Sequence, residues 1–110
     1  MIVETIYGCD IDGCVLESYF TTLVNLLFKI LPMRENGEDT LDIYMKSLLC
    51  ELIGCRDLFT AIHNDAEFTS ILSILQYLIG HSDCDIKTVR REIFRAISIC
   101  NKLKARYAEV

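Results

Sequence analysis

The chain has 110 residues, 52% of them hydrophobic, and a formal net charge of −5. That length suits one domain with one core, and the apolar content excludes an intrinsically disordered chain. One Pro and five Gly leave few breakers, which favours helices over a strand-and-turn fold.

Residues 1–14 read as irregular or as a short strand around Ile2, Val3 and Ile6, with Asp12-Gly13 a turn. From there Leu16, Tyr19, Phe20, Leu23, Val24, Leu27, Ile30 and Leu31 keep the i, i+3, i+4, i+7 rhythm of a helix over 15–31. Pro32 ends it by removing a donor and crowding the preceding turn. After a polar loop from Arg34 to Asp39, a second helix is predicted over 40–53, capped by Asp39 or Thr40 and closed by Gly54 at its C′ position. Leu41, Tyr44, Met45, Leu48, Leu49 and Leu52 form one stripe on it. Ile43, Cys50 and Ile53 form another, which predicts cover on two sides.

A short helix over 56–62 follows, with Leu58, Phe59 and Ile62 apolar. Asn64 and Glu67 have capping-box spacing at the head of a helix over 65–79, which Gly80 closes. Asp83 or Asp85 caps the last helix, 86–106, which buries Ile86, Val89, Ile93, Phe94, Ile97 and Cys100. The fold class is all-α: a single helical domain over 1–110, arranged as a compact bundle of four to five helices or as a short helical stack.

The stack enters through a repeat. Ser47-Leu-Leu-Cys-Glu-Leu-Ile-Gly-Cys-Arg-Asp57 aligns with Ser73-Ile-Leu-Gln-Tyr-Leu-Ile-Gly-His-Ser-Asp83 at an offset of 26 residues. Two helices using one C-cap chemistry explain it, as does a helical-repeat unit. Residues 68–103, with an apolar helix, an Asp-containing turn and Val89-Arg90 early in the second helix, resemble one HEAT or armadillo repeat. The resemblance implies a short right-handed helical stack.

Two catalytic or metal patterns stand out. Cys9-Asp-Ile-Asp-Gly-Cys14 resembles the first motif of haloacid-dehalogenase-type phosphatases, and Ile79-Gly-His-Ser-Asp-Cys-Asp-Ile86 resembles their metal-binding motif. The resemblance implies Asp10 as nucleophile, Asp12 as acid/base and Asp85 as a magnesium ligand, on a parallel sheet covered by helices. Helical periodicity after Leu16 leaves no room for that sheet, and His81 stands where a carboxylate belongs. An EF-hand loop starting at Asp10 fails, because Val15 and Thr21 replace its Gly and its bidentate Glu.

Cys9/Cys14 and Cys50/Cys55 share C-x4-C spacing and His81/Cys84 is H-x2-C, so a zinc site is an alternative reading. A spacing of five separates Cys50 and Cys55 by roughly 140° on a helix, and the simpler expectation is small buried hydrophobes and no cofactor. His63 and His81 each sit at a helix end, where a C-terminal cap is the usual role; no Cys–His catalytic pair is expected.

The net charge conceals a division: residues 1–85 carry 14 acidic and 4 basic side chains, and residues 86–110 carry 7 basic and 2 acidic. On the last helix Lys87, Arg91, Arg95, Lys102 and Arg106 fall within a band of roughly 100° opposite the apolar stripe. This basic ridge is the candidate partner-binding surface. It suits a non-enzymatic protein–protein interaction module, an adaptor or regulator. Its partner is a protein with an acidic surface, another copy of the chain, or further chain of the same protein. Nucleic acid is the alternative partner, disfavoured by the acidity elsewhere and the lack of interleaved aromatics.

The start MIVETIYGCD lacks the basic n-region of a signal peptide, and the longest uncharged run, Phe68 to Ser82, falls short of the ~20 residues of a membrane span. The expectation is an intracellular protein with reduced thiols and no membrane association.

Overall fold

The N-terminal segment forms a small antiparallel hairpin in a computed structural model that describes residues 2–108. Strand β1 (Ile2–Glu4) lies on β2 (Asp10–Asp12), with Val3 opposite Ile11. Val3 alternates inward onto the core while Ile2 and Glu4 face out, the period-two pattern of a strand covered on one side. Gly8, at φ 78°, takes the left-handed turn position that a side chain resists. The hairpin is fastened to the helices by a backbone bridge between Thr5 and Phe59 and by Ile6 N–H donating to the Leu58 carbonyl at 2.8 Å.

Six helical segments follow among the described residues: α1 (Gly13–Phe28), α2 (Ile30–Glu35), α3 (Leu41–Leu58), α4 (Thr60–His63), α5 (Ala66–Gly80) and α6 (Ile86–Ala108). The protein is an all-α bundle with a short N-terminal strand pair. Its core is one cluster built on Leu16, Phe20 and Leu27 of α1, Leu52 of α3, Phe68 and Leu75 of α5, and Ile93 and Leu103 of α6. α6 packs most extensively on α1, then on α5, and α5 also covers α3. Phe28 meets Phe94 while Phe20 meets Tyr107, so α1 and α6 run antiparallel. In a solenoid each unit touches its sequence neighbours. Here the last helix closes on the first, which is bundle packing.

Several boundaries differ from the pattern, each for a physical reason. Pro32 does not end the first helix at residue 31; it sits in the first turn of α2, where a missing donor is tolerated. The ladder breaks upstream, at Lys29, because Pro32 cannot donate to the carbonyl of Phe28. α3 passes straight through Gly54 to Leu58 and absorbs the start of the expected 56–62 helix. Burial of Leu52 and half-burial of Cys55 and Leu58 outweigh the ~1 kcal/mol that a helical glycine costs. Phe59 is extended (φ −107°, ψ 122°), as its bridge to Thr5 requires, so only Thr60–His63 remain of the short helix.

Caps also shift. Neither Asp39 nor Thr40 caps α3 with its side chain. Asp65, one residue after the predicted Asn64, caps α5, accepting from the N–H groups of Glu67 at 2.8 Å and Phe68 at 3.1 Å. On α3 the second stripe is open over most of its length: Ile43 and Cys50 are exposed, and Ile53 alone of the three is half-buried against the core.

The α1–α2 stretch Gly13–Glu35 is long and apolar enough to cross a membrane by length and composition, an 18-residue window within it having a mean hydropathy of 1.4. The apolar stripe of α1, including Leu16, Phe20, Leu23 and Leu27, is buried in the core.

Candidate functional site, the outer face of α6

The head of α6 is fixed by Asp85, whose Oδ1 accepts from Thr88 N–H at 2.8 Å. Hydrogen bonding from Thr88, its side chain first and its N–H second, holds the Asp85 carboxyl below its ordinary range. From there Val89, Ile93, Ala96, Ile97, Cys100, Leu103 and Tyr107 face inward. Lys87, Arg91, Arg95 and Lys102 lie on the opposite, exposed side, as the 100° step of a helix requires.

Arg106, the last of the predicted ridge, is placed differently. Its guanidinium is hydrogen-bonded to Asp65 and lies 2.7 Å from Glu67 Oε1, so it ties the end of α6 to the start of α5. Coulombic attraction to Asp65 and Glu67 and the bond to Asp65 raise the Arg106 pKa against a desolvation that would lower it. All five predicted cations are exposed, and Arg106 is the one ion-paired across to α5.

Two features of this face lie outside the basic pattern. Phe94, expected in the core, is 49% exposed. It meets the equally open Phe28 of α1 edge to face, with ring centroids 5.9 Å apart. By the helical step Phe94 falls beside Lys87 and Ser98, on the cationic side, so the signal was present in the sequence. Phe28 likewise stands off the α1 stripe. The second feature is Glu92, 9% exposed, whose carboxylate sits 3.1 Å from Arg95 and 3.5 Å from Arg91. It tethers both guanidinium groups at their inner edge and removes one unit of the local positive charge. Next to this face Arg90 pairs with Glu35 of α2 at 3.3 Å.

The residues implied for phosphatase chemistry are not brought into such a site. Asp10 is exposed on β2, and Asp12 caps α1, its Oδ1 accepting from Cys14 N–H at 3.0 Å. Bonding to Cys14 depresses the Asp12 carboxyl. Both aspartates stand on a two-stranded antiparallel hairpin, whereas the resemblance implies a parallel sheet. Among the described residues no group of three or more His, Cys, Asp or Glu side chains converges as metal ligands would.

The cysteines are free; Cys9, Cys14 and Cys50 are exposed and Cys100 is buried. Burial pushes the Cys100 thiol up to about 12 and the Cys55 thiol up to about 11, which keeps both protonated near neutrality and poor as nucleophiles or ligands. His81 ends α5 as expected of a cap, its Nδ1 2.9 Å from the Tyr77 carbonyl and its ring stacked on Tyr77.

A cleft of about 260 Å³ opens between the α2–α3 loop, α3 and the turn before α6. That volume is below the ~300–1,000 Å³ of small-molecule sites and suits one large side chain. No protein-family model matches the chain, and no match is found among curated proteins or among solved structures.

Proposed function

We propose that this protein is a non-enzymatic protein–protein interaction module that docks an acidic partner surface on the outer face of α6. The observation that carries the reading is the combination on that face: Lys87, Arg91, Arg95 and Lys102 exposed around Phe94, which is itself braced by Phe28. A solvated helix face needs its charges but has no use for a half-exposed aromatic pair. An aromatic anchor beside arginines is the composition of an interface centre. The cations steer an acidic partner and fix its register, and the rings supply buried area once water is displaced. The acidic remainder of the chain, a balance of −10 over residues 1–85, supports protein over nucleic acid as partner, since a polyanion is repelled wherever it leaves the ridge. The reading places the protein inside the cell, away from membranes.

The test is affinity capture from the native source, run in parallel with the wild type and with R91E/R95E. Retention of a specific acidic protein by the wild type, lost at least ~10-fold by the variant at unchanged helicity, is the expected result. Equal capture by both overturns the reading, because the ridge would then be an ordinary solvated face. Raising the salt concentration weakens the wild-type complex if exposed charges guide it.

A further inference from the structure

The acidic surface that fits the α6 face is present on this same chain. The cleft beside the α2–α3 loop has an apolar floor of Ile30, Met45, Leu78 and Val89, all buried. One side of its rim is acidic, lined by Glu38, Asp39 and Asp42, while Arg34 and His81 line the rest. Asp42 is paired with Lys46 at 2.8 Å, while Glu38 and Asp39 are exposed and take part in no ion pair among the described residues.

The rim is a built element. Gly37, at φ 62°, supplies the left-handed turn; Glu38 N–H donates to Met33 at 3.0 Å, and Leu41 N–H donates to Glu38 at 3.2 Å. Arg34 braces the opposite wall by donating to the Cys84 carbonyl. An apolar floor of this size under unpaired carboxylates calls for one large apolar side chain flanked by cations. Phe94, at the edge of the ridge with Arg91 and Arg95 roughly 60° and 100° round the helix from it, is such a group.

We propose that a second copy of this chain occupies the cleft, with its Phe94 on the floor and its Arg91 and Arg95 against Glu38 and Asp39. The inference rests on the reading of α6 as the docking face and names the partner. Val89, on the floor, and Arg95, on the ridge, belong to one helix and are separated by six residues, about 9 Å along its axis. The cleft and the Arg91–Arg95 part of the ridge therefore both lie along the first half of α6. A twofold pairing satisfies both copies and closes the assembly as a dimer, where one-way docking leaves an open end.

Charge exchange tests this directly. Sedimentation velocity over a concentration series is run on the wild type, on R91E/R95E, on E38K/D39K, and on an equimolar mixture of the two variants. The wild type is expected to form a dimer. Each variant sets like charges against each other at both contacts and is expected to lose association at least ~10-fold, about 1.4 kcal/mol. In the mixture the acidic ridge of one variant meets the basic cleft of the other, and its basic ridge meets the acidic cleft, so the dimer returns. Phe94→Ser, which leaves every charge in place, is expected to weaken the wild-type dimer as well.

A wild type that stays monomeric throughout overturns the proposal, and so does a mixture that fails to restore the dimer. If the wild type is monomeric but R91E/R95E still loses an acidic partner in the capture experiment, only the self-docking fails and the reading of α6 stands. If neither experiment responds to R91E/R95E, both fail together.

Discussion

At the start of α6, Arg91 and Arg95 reach solvent beside a half-exposed Phe94, whereas at its end Arg106 lies against Asp65 and Glu67 and Tyr107 is buried against Phe20. The sequence repeats the same ingredients at both ends, an aromatic ring next to basic side chains. What differs is the opposing element. The end of α6 faces the N-terminus of α5, which needs negative charge and receives it from Asp65 and Glu67, so a cation there is ion-paired across to α5 while it stays exposed. The start of α6 has its inner side filled by Val89 and Ile93, with Phe28 the one ring against Phe94. One end is therefore fold and the other is surface, though residue type alone does not separate them.

Ring deletions test that division most strongly. Phe20 is fully buried and touches Tyr19, Phe68 and Tyr107, with centroids 5.8, 6.2 and 6.0 Å away. Phe20→Ala is expected to cost ~3–5 kcal/mol in chemical denaturation, the range for a large buried aromatic. Phe94→Ser at the other end is expected to cost less than ~1 kcal/mol, as surface changes do. Equal losses would break the comparison, because Phe94 would then be core.

Charge deletions come next. Asp65→Ala removes the cap of two N–H groups and leaves Arg106 without its nearest carboxylate, which is expected to cost about 2 kcal/mol. Lys87→Ala removes an exposed arm at the other end and is expected to cost under ~1 kcal/mol. Urea denaturation of the two variants gives the ordering, and a larger loss in Lys87→Ala would reverse the assignment of the two ends.

The all-α class, the stripe of α1 and the extent of α6 were legible because they rest on helical periodicity, which survives without knowledge of neighbours. The twin segments ending in Leu-Ile-Gly show where that fails. Gly80 is the last residue of α5, while Gly54 lies inside α3, although the two read alike. The sequence after Gly80 offers His81 and then Asp85 as caps; after Gly54 it offers Cys55 and Leu58, which are drawn inward and carry the helix on. Phe59 itself is extended because the N-terminal hairpin bridges to it, a contact across more than fifty residues that no local pattern encodes. The exposure of Phe94 was legible from the helical step, which sets it off the stripe of Val89, Ile93 and Ile97. The capture of Arg106 was not legible, since Asp65 and Glu67 stand about forty residues away.

The smallest effect lies inside the tied end. Tyr19 packs on Phe20, and its buried hydroxyl has no hydrogen-bond partner. A polar group left dry and unpaired opposes folding, so Tyr19→Phe should be neutral or stabilising by up to ~1 kcal/mol, although it deletes an atom from the core. Burial, with a smaller contribution from the Cys55 thiol, raises the Tyr19 pKa above the ordinary tyrosine value. The unfolded chain then ionises first as pH rises, so the stability associated with the neutral phenol is complete below ~10 and declines above it. The advantage of Tyr19→Phe over the wild type should therefore widen from pH ~9 to ~11, because the other tyrosines titrate alike in both proteins. Paired urea denaturations at those two pH values measure the widening. A variant less stable than the wild type by more than ~1 kcal/mol at neutral pH would mean that the hydroxyl has a partner, and that the tied end of α6 owes part of its cohesion to a polar contact.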